Sequence, residues 1–200
     1  MLVDFGGVLT TSVLDSFRAF GAGFGQPDLP ARLLSTDDVS RGLISDHEKG
    51  VIAAGEFEAR FAERLRAHGA EVAAHGLQAG LMAGLRPDEQ MLGLVAGLRK
   101  AGVPVALVSN AFGHDCYAGV DLDSIADVVV ISSDLGVRKP SRKMYAVACE
   151  RLGVAPEQAV MVDDLQQNLD GAARLGIAGV LHTAADDTRR QLAERFGLTA

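Results

Sequence analysis

The sequence predicts an α/β protein, a doubly wound parallel sheet interrupted after its first strand by an all-helical insertion. Three observations carry that prediction. From Leu85 onward, short apolar runs alternate with helical stretches, the pattern of parallel strands covered by helices on both faces. Between about residues 12 and 83 there is helical spacing punctuated by glycine and proline, and no strand pattern. Finally, 48% hydrophobic and 22% charged residues in a chain of 200 suffice for a sizeable core and carry no signature of disorder. The expected division is an α/β core at 1–11 and 84–200 with a helical cap at 12–83.

Met1-Leu2-Val3 reads as a buried strand ending in Asp4 and the turn Phe5-Gly6-Gly7. Three residues are few for a central strand, so the strand is short or the start lacks a few residues. In the cap, Phe57, Phe61 and Leu65 recur at helical spacing on one face. Pro87-Asp88-Glu89 opens a helix that ends at Gly102. Strands follow at Val103–Val108 and Val128–Ile131. Ser141 is placed to cap a helix carrying Met144, Val147, Ala148 and Leu152 and closed by Gly153. A strand at Ala159–Val162, a helix from Leu169 to Leu175, a strand at Gly179–Leu181 and a helix from Asp186 to Phe196 complete the chain.

Ligands of open parallel sheets sit outside the carboxyl ends of the strands, so those ends are where chemistry is expected. The first strand ends in Asp4, the second in Ser109-Asn110 and the fourth in Asp163-Asp164, while the loop after the third holds Arg138-Lys139-Pro140. One carboxylate, one hydroxyl, one or two cations and an acidic pair thus converge on a single rim. That set suits phosphoryl transfer. A carboxylate can attack phosphorus and divide one hard step into two. Magnesium bridges the two anions through oxygen ligands, which Asp4, Asp164 and the neighbouring Asp163 offer. Lys139, Ser109 and the N–H groups of the Phe5-Gly6-Gly7 turn can meet the phosphoryl oxygens.

In Asp4-Phe5-Gly6-Gly7-Val8-Leu9-Thr10, Val105 to Asn110, Ser133 to Pro140, Val160 to Asp164 and Asn168 to Gly176, the chain resembles the haloacid-dehalogenase-like hydrolases. The cap stretch Glu48-Lys49-Gly50-Val51-Ile52 matches their branch with a helical cap after the first strand. A response-regulator receiver shares the sheet and the Asp, Ser/Thr and Lys set, but there the acidic pair comes first. The resemblance implies a Rossmann-like core and a magnesium-dependent phosphatase for a small metabolite, a sugar 1-phosphate among the possibilities. It makes Asp4 the nucleophile, Ser109 a phosphate donor and Lys139 the charge clamp. Asp4, Asp164, Asp163 and the Gly6 carbonyl become the magnesium site. Phe5, Gly6, Gly7, Asn110 and Arg138 become substrate contacts, and Asn168 orients the acidic end.

One position departs from the family's phosphatase pattern. Gly6 stands where a second aspartate protonates the leaving group, help worth about 10²–10⁴-fold. The departure fits a phosphatase whose substrate has a good leaving group, or one whose proton comes from Asp46, His47 or Glu48 in the cap. It also fits a 2-haloacid dehalogenase, although those relatives lack the acidic pair, or a member that only binds a ligand or protein. Asp46, His47 and Glu48 otherwise read as a solvated turn, and all five histidines as surface or loop residues. His114 and Asp115 could touch substrate.

A formal charge of −7 speaks against nucleic-acid or anionic-membrane partners. No run approaches the ~18 apolar residues of a membrane span, and Asp4 arrives before a leader's apolar stretch could form. Cys116 and Cys149 lack ligand spacing. A cytoplasmic protein is expected, with its oligomeric state open. Gly21-Ala22-Gly23-Phe24-Gly25 lacks both the preceding strand and the third glycine of a dinucleotide loop.

Overall fold

The computed structural model describes residues 1–199, the side chains of His114 and Asp115 excepted. The chain enters through β1 (Leu2–Val3). Five helices follow: α1 (Val13–Ala22), α2 (Leu29–Thr36), α3 (Asp38–Glu48), α4 (Ala54–Ala67) and α5 (Leu77–Met82). The α/β alternation then runs α6 (Glu89–Lys100), β2 (Ala106–Ser109), α7 (Leu122–Ile125), β3 (Val128–Ile131), α8 (Ser132–Leu135) and α9 (Arg142–Leu152). It closes with β4 (Val160–Asp163), α10 (Gln166–Ala173), β5 (Ala178–Leu181) and α11 (Ala185–Phe196).

All strand pairs are parallel, in the order β3-β2-β1-β4-β5. Side chains alternate between the two faces, as strand geometry requires. Val3, Leu107, Val162 and Val180 pack on one side with Met91, Leu94 and Leu98 of α6 and Leu192 of α11. Leu2, Ala106, Val130 and Met161 pack on the other with Met144, Tyr145 and Ala148 of α9 and Ala172 of α10. A third cluster lies among α1 to α5, around Phe57, Phe61 and Leu65, all fully buried. Each such side chain contributes about 1.5–3 kcal/mol of burial. Asp37 caps α3 by accepting from the Ser40 N–H at 2.9 Å and holds Arg64 of α4 at 2.6 Å, which fixes the angle between these helices.

Element boundaries shift where local bonding competes with the apolar pattern. The strand expected from Val103 begins at Ala106, because the Val103 N–H closes the end of α6 on the Leu98 carbonyl and Pro104 has no N–H to give. Pro87 lies outside α6, whose cap is Asp88, accepting from the Met91 N–H at 2.9 Å. Ser141 stands at the start of α9, but its side chain makes no capping bond. The helix expected from Leu169 begins at Gln166, because Asp163 takes the Leu165 N–H and turns the chain early. Among the described residues no helix is long and apolar enough to cross a membrane.

Candidate active site

The central strand is only two residues long, yet the Asp4 N–H donates to the Val162 carbonyl at 3.0 Å and extends the pairing by one step. Register therefore brings Asp4, Ser109 and Asp163 to one edge, at the point where the strand order reverses direction. Lys139 arrives from the loop after α8 and is 1% exposed. Its ammonium lies 2.7 Å from Asp4 Oδ1 and 2.8 Å from Asp163 Oδ2. The Lys139–Pro140 peptide bond is cis. Asn110 grips the Lys139 backbone from both ends of its amide: Oδ1 accepts the Lys139 N–H at 2.8 Å, and Nδ2 donates to the Lys139 carbonyl at 3.3 Å. Asn110, expected as a substrate contact, thus holds the lysine in place while lining the same cavity.

Asp163 is fully buried and wholly engaged. Oδ2 faces Lys139, and Oδ1 accepts from the Leu165 N–H and from Asn168 Nδ2, each at 2.9 Å. Asn168 orients the acidic end as the sequence suggested. Asp164 lies over Gly7, where a Cβ would come 2.4 Å from Asp164 Oδ2 and the backbone has a φ of +77°. Only glycine satisfies both conditions. One carboxylate oxygen from each of Asp4, Asp163 and Asp164 lies within 4.8 Å of the others.

Three carboxylates face one ammonium in a buried space, and their proton affinities respond. Burial pushes the Asp4 carboxyl well above its usual range, with Lys139 opposing and Asp163 and Asp164 adding to the rise. Burial and Asp163 push Asp164 up to about 6. For Lys139, burial works against the charge, but Asp4 and Asp163 outweigh it and hold the ammonium above its ordinary value. The surplus of negative charge among hard oxygen donors fits a divalent cation.

The cavity over this rim has a volume of about 290 Å³ and is shared between strand ends and helices α1, α2, α3 and α5. Ser109 Oγ accepts from the Tyr117 hydroxyl at 2.7 Å, so its own hydrogen is free to point elsewhere. Tyr117 also meets the Phe5 ring edge-on at 5.1 Å. The sequence reading missed this tyrosine because it ends a single 3-10 turn (His114–Tyr117) after β2, too short to show a periodic pattern. Gly6 lines the cavity, but a Cβ there would stand 2.9 Å from Val13 Cγ2. The space beside the missing acid is therefore closed by an apolar side chain.

The helices at 12–83 contribute one charged group to this cavity. Glu48, at the end of α3, is 8% exposed, and its Oε2 lies 2.7 Å from Arg138 Nε. Burial pushes its carboxyl up to about 7, against the pull of Arg138 and Lys139. The solvated turn expected at 46–48 is instead the last turn of α3, with His47 and Glu48 drawn under cover by packing and Asp46 left half-exposed. The His47 ring stacks on Phe57 at 4.6 Å. His182 is likewise buried, its Nδ1 2.9 Å from Thr188 Oγ1. Asp46 pairs with Lys49 at 2.9 Å. A further residue the sequence did not single out is Ser132, whose hydroxyl donates to the Glu48 carbonyl and accepts from the Ala111 N–H. It fastens the end of α3 to the loop after β2. The expected contacts at His114 and Asp115 lie outside the described side chains.

(S)-2-haloacid dehalogenase 4A of Burkholderia cepacia is 34% identical over 82 residues, covering 40% of this chain and 36% of its own. Glyceraldehyde 3-phosphate phosphatase of Methanopyrus kandleri is 32% identical over 100 residues, covering 48% and 43%. The chain therefore spans less than half the length of these relatives. The fold resembles that of a HAD family enzyme from Bacteroides thetaiotaomicron, solved in complex with magnesium and inorganic phosphate. The TM-score is 0.67, with 23% identity over 92% of this chain and 93% of that one. A model of haloacid dehalogenase-like hydrolases matches residues 1–176. That match runs from the strand before Asp4 to beyond the helix after Asp163-Asp164, and the chain belongs to the haloacid dehalogenase-like hydrolase family.

Proposed function

We propose that the protein is a magnesium-dependent phosphatase that hydrolyses a small phosphate monoester through an aspartyl-phosphate on Asp4. The observation that carries this reading is the buried cluster at the strand ends, three carboxylates gathered around one lysine. Asp4, Asp164 and the Gly6 carbonyl would hold magnesium. Asp163, with both oxygens already occupied, holds Lys139 and the turn to α10 in position. When bound, the cation supplies the positive charge that lets an anionic carboxylate approach an anionic phosphate.

Asp4 then attacks phosphorus, the bond to the leaving oxygen breaks, and that oxygen departs with the electron pair. Lys139 neutralises the phosphoryl oxygens, and the free hydrogen of Ser109 donates to one of them. Water cleaves the acyl-phosphate at phosphorus and restores Asp4. The helices at 12–83, read as a cap, exclude bulk water until the intermediate has formed. With glycine at position 6, the substrate is an ester whose leaving group departs without a proton.

One competing reading has a specific observation behind it. A halide also departs unprotonated, and one relative is a haloacid dehalogenase. The acidic surplus favours the phosphatase, since dehalogenation needs no cation. Hydrolysis of p-nitrophenyl phosphate with and without millimolar magnesium, beside halide release from 2-chloropropionate, separates the two. Magnesium-dependent phosphate release is expected, and metal-independent halide release with no phosphatase activity would reverse the assignment.

A further inference from the structure

Away from the strand ends, the cavity wall is apolar. Val13, Phe17, Leu34, Ile44, Met82 and Phe112 line it. The helices at 12–83 place two polar side chains on that wall, and each is already partly engaged. Ser35 Oγ donates to the Arg32 carbonyl at 3.1 Å, and the Glu48 carboxylate is taken by Arg138 at 2.7 Å. A leaving group rich in hydroxyls would bury them against methyl groups and rings. Each buried hydroxyl without a partner costs about 1–3 kcal/mol, and discrimination of roughly 10²-fold per hydroxyl is typical of such pockets. A volume of about 290 Å³ lies at the lower end of the ~300–1,000 Å³ usual for small-molecule sites. It leaves room for a phosphoryl group and a single ring.

A second, independent observation narrows the leaving group further. The place beside Gly6 is filled by Val13, with Cγ2 2.9 Å from where a Cβ would be. An acid at position 6 would have to displace that methyl, and the glycine itself carries no proton to give, which favours a weakly basic departing oxygen.

Resting on the phosphatase reading above, we propose that the substrate is the phosphate monoester of an apolar, weakly basic alcohol of the phenol or enol class. Its ring packs between the cap wall and Phe112, and sugar phosphates are poor substrates. In the step proposed, Asp4 Oδ forms the new bond to phosphorus as the phosphorus–oxygen ester bond breaks. The phenolate or enolate oxygen leaves with the electron pair and takes its proton from solvent after departure. Water then consumes the aspartyl-phosphate, giving inorganic phosphate and the free Asp4 carboxylate.

The test compares kcat/KM on phenyl phosphate, cyclohexyl phosphate and myo-inositol 1-phosphate with magnesium present. The first pair differs in the basicity of the leaving oxygen and the second in hydroxyls on the same ring size. The expected order is phenyl, then cyclohexyl, then inositol, with at least about 10²-fold across the second pair. Met82→Gln and, separately, Ile44→Asn are expected to narrow that second ratio by about 10-fold, because each offers the ring hydroxyls a partner. Thermal melts verify that the variants fold. Inositol phosphate turned over as well as cyclohexyl phosphate, with p-nitrophenyl phosphate also hydrolysed, would overturn the inference and leave the phosphatase reading standing. Failure of every ester, p-nitrophenyl phosphate included, would count against the phosphatase reading itself. Calorimetry with phenylphosphonate and a sugar phosphonate then decides the wall's preference, and equal affinities would overturn it.

Discussion

The two halves of the cavity are built on opposite principles. On the strand-end side a bonded network links the polar side chains: Lys139 between Asp4 and Asp163, Asp163 under Asn168, Asn110 on the Lys139 backbone, Tyr117 on Ser109. On the side of the helices at 12–83 the wall is side-chain hydrocarbon with one partly buried ion pair, Glu48–Arg138. The difference separates two tasks. A bonded polar network holds reacting groups within tenths of an ångström, as transition-state electrostatics require. An apolar wall selects by shape and by the absence of partners, and it can change without disturbing the chemistry.

The sharpest way to break that division is to remove the proposed nucleophile. Asp4→Asn is expected to lower phosphate release by on the order of 10⁴-fold or more, with the fold intact by circular dichroism. Substantial residual turnover would place the chemistry elsewhere. Lys139→Met tests whether the strand-end network is a unit. Removing a buried cation leaves Asp4 and Asp163 uncompensated, so a loss of about 3–5 kcal/mol is expected in urea unfolding near pH 8. The loss should shrink at pH 5, where the carboxyls accept protons. A variant as stable as the parent at both pH values would mean that the network does not hold the site together.

Glu48→Gln probes the one charge on the cap side. Because Glu48 is pushed up to about 7 in the folded protein from an unfolded value near 4.3, the folded state binds the extra proton. Its contribution therefore favours folding below pH ~4.3 and is lost as pH rises through 7. About 3 kcal/mol of pH-dependent destabilisation should vanish in the variant, read as a flatter stability curve between pH 5 and 8. An unchanged curve would show that Arg138 neutralises the carboxylate fully. The smallest effect is expected at the border between the halves. Gly6→Asp alone meets Val13 Cγ2, so it should raise hydrolysis of unactivated alkyl phosphates only when joined to Val13→Ala, by about 10-fold. Equal rates for the single and double variants would mean that Val13 does not close this space.

The strand-end half was largely legible in the sequence, the cap half hardly at all. Apolar strands terminating in Asp4, Ser109 and Asp163 declare both the parallel sheet and the edge where these side chains gather, because topology alone brings strand ends together. Lys139 was placed by its neighbours Arg138 and Pro140. Gly7 could be read as a close approach, though not that Asp164 is what approaches it. What sequence could not give depends on side chains meeting across long separations. Ser132 reaches Glu48 across 84 positions, and Glu48 meets Arg138 across the cleft. His47 lies hidden against Phe57 by packing that helical spacing alone does not specify. Tyr117, in a single 3-10 turn, carries no periodic signal. The cap wall follows from helix packing angles, which the pattern of apolar residues constrains only loosely.

The most direct test of the whole account is to trap the covalent intermediate. Wild-type protein mixed with magnesium and p-nitrophenyl phosphate, quenched in acid within the first turnovers and digested, is expected to carry one phosphoryl group on the N-terminal peptide, at Asp4. The mark should be lost on mild base or hydroxylamine treatment and absent from Asp4→Asn. Phosphate release at full rate with no acid-stable, hydroxylamine-labile mark on that peptide under any quench time would contradict a reaction carried through Asp4.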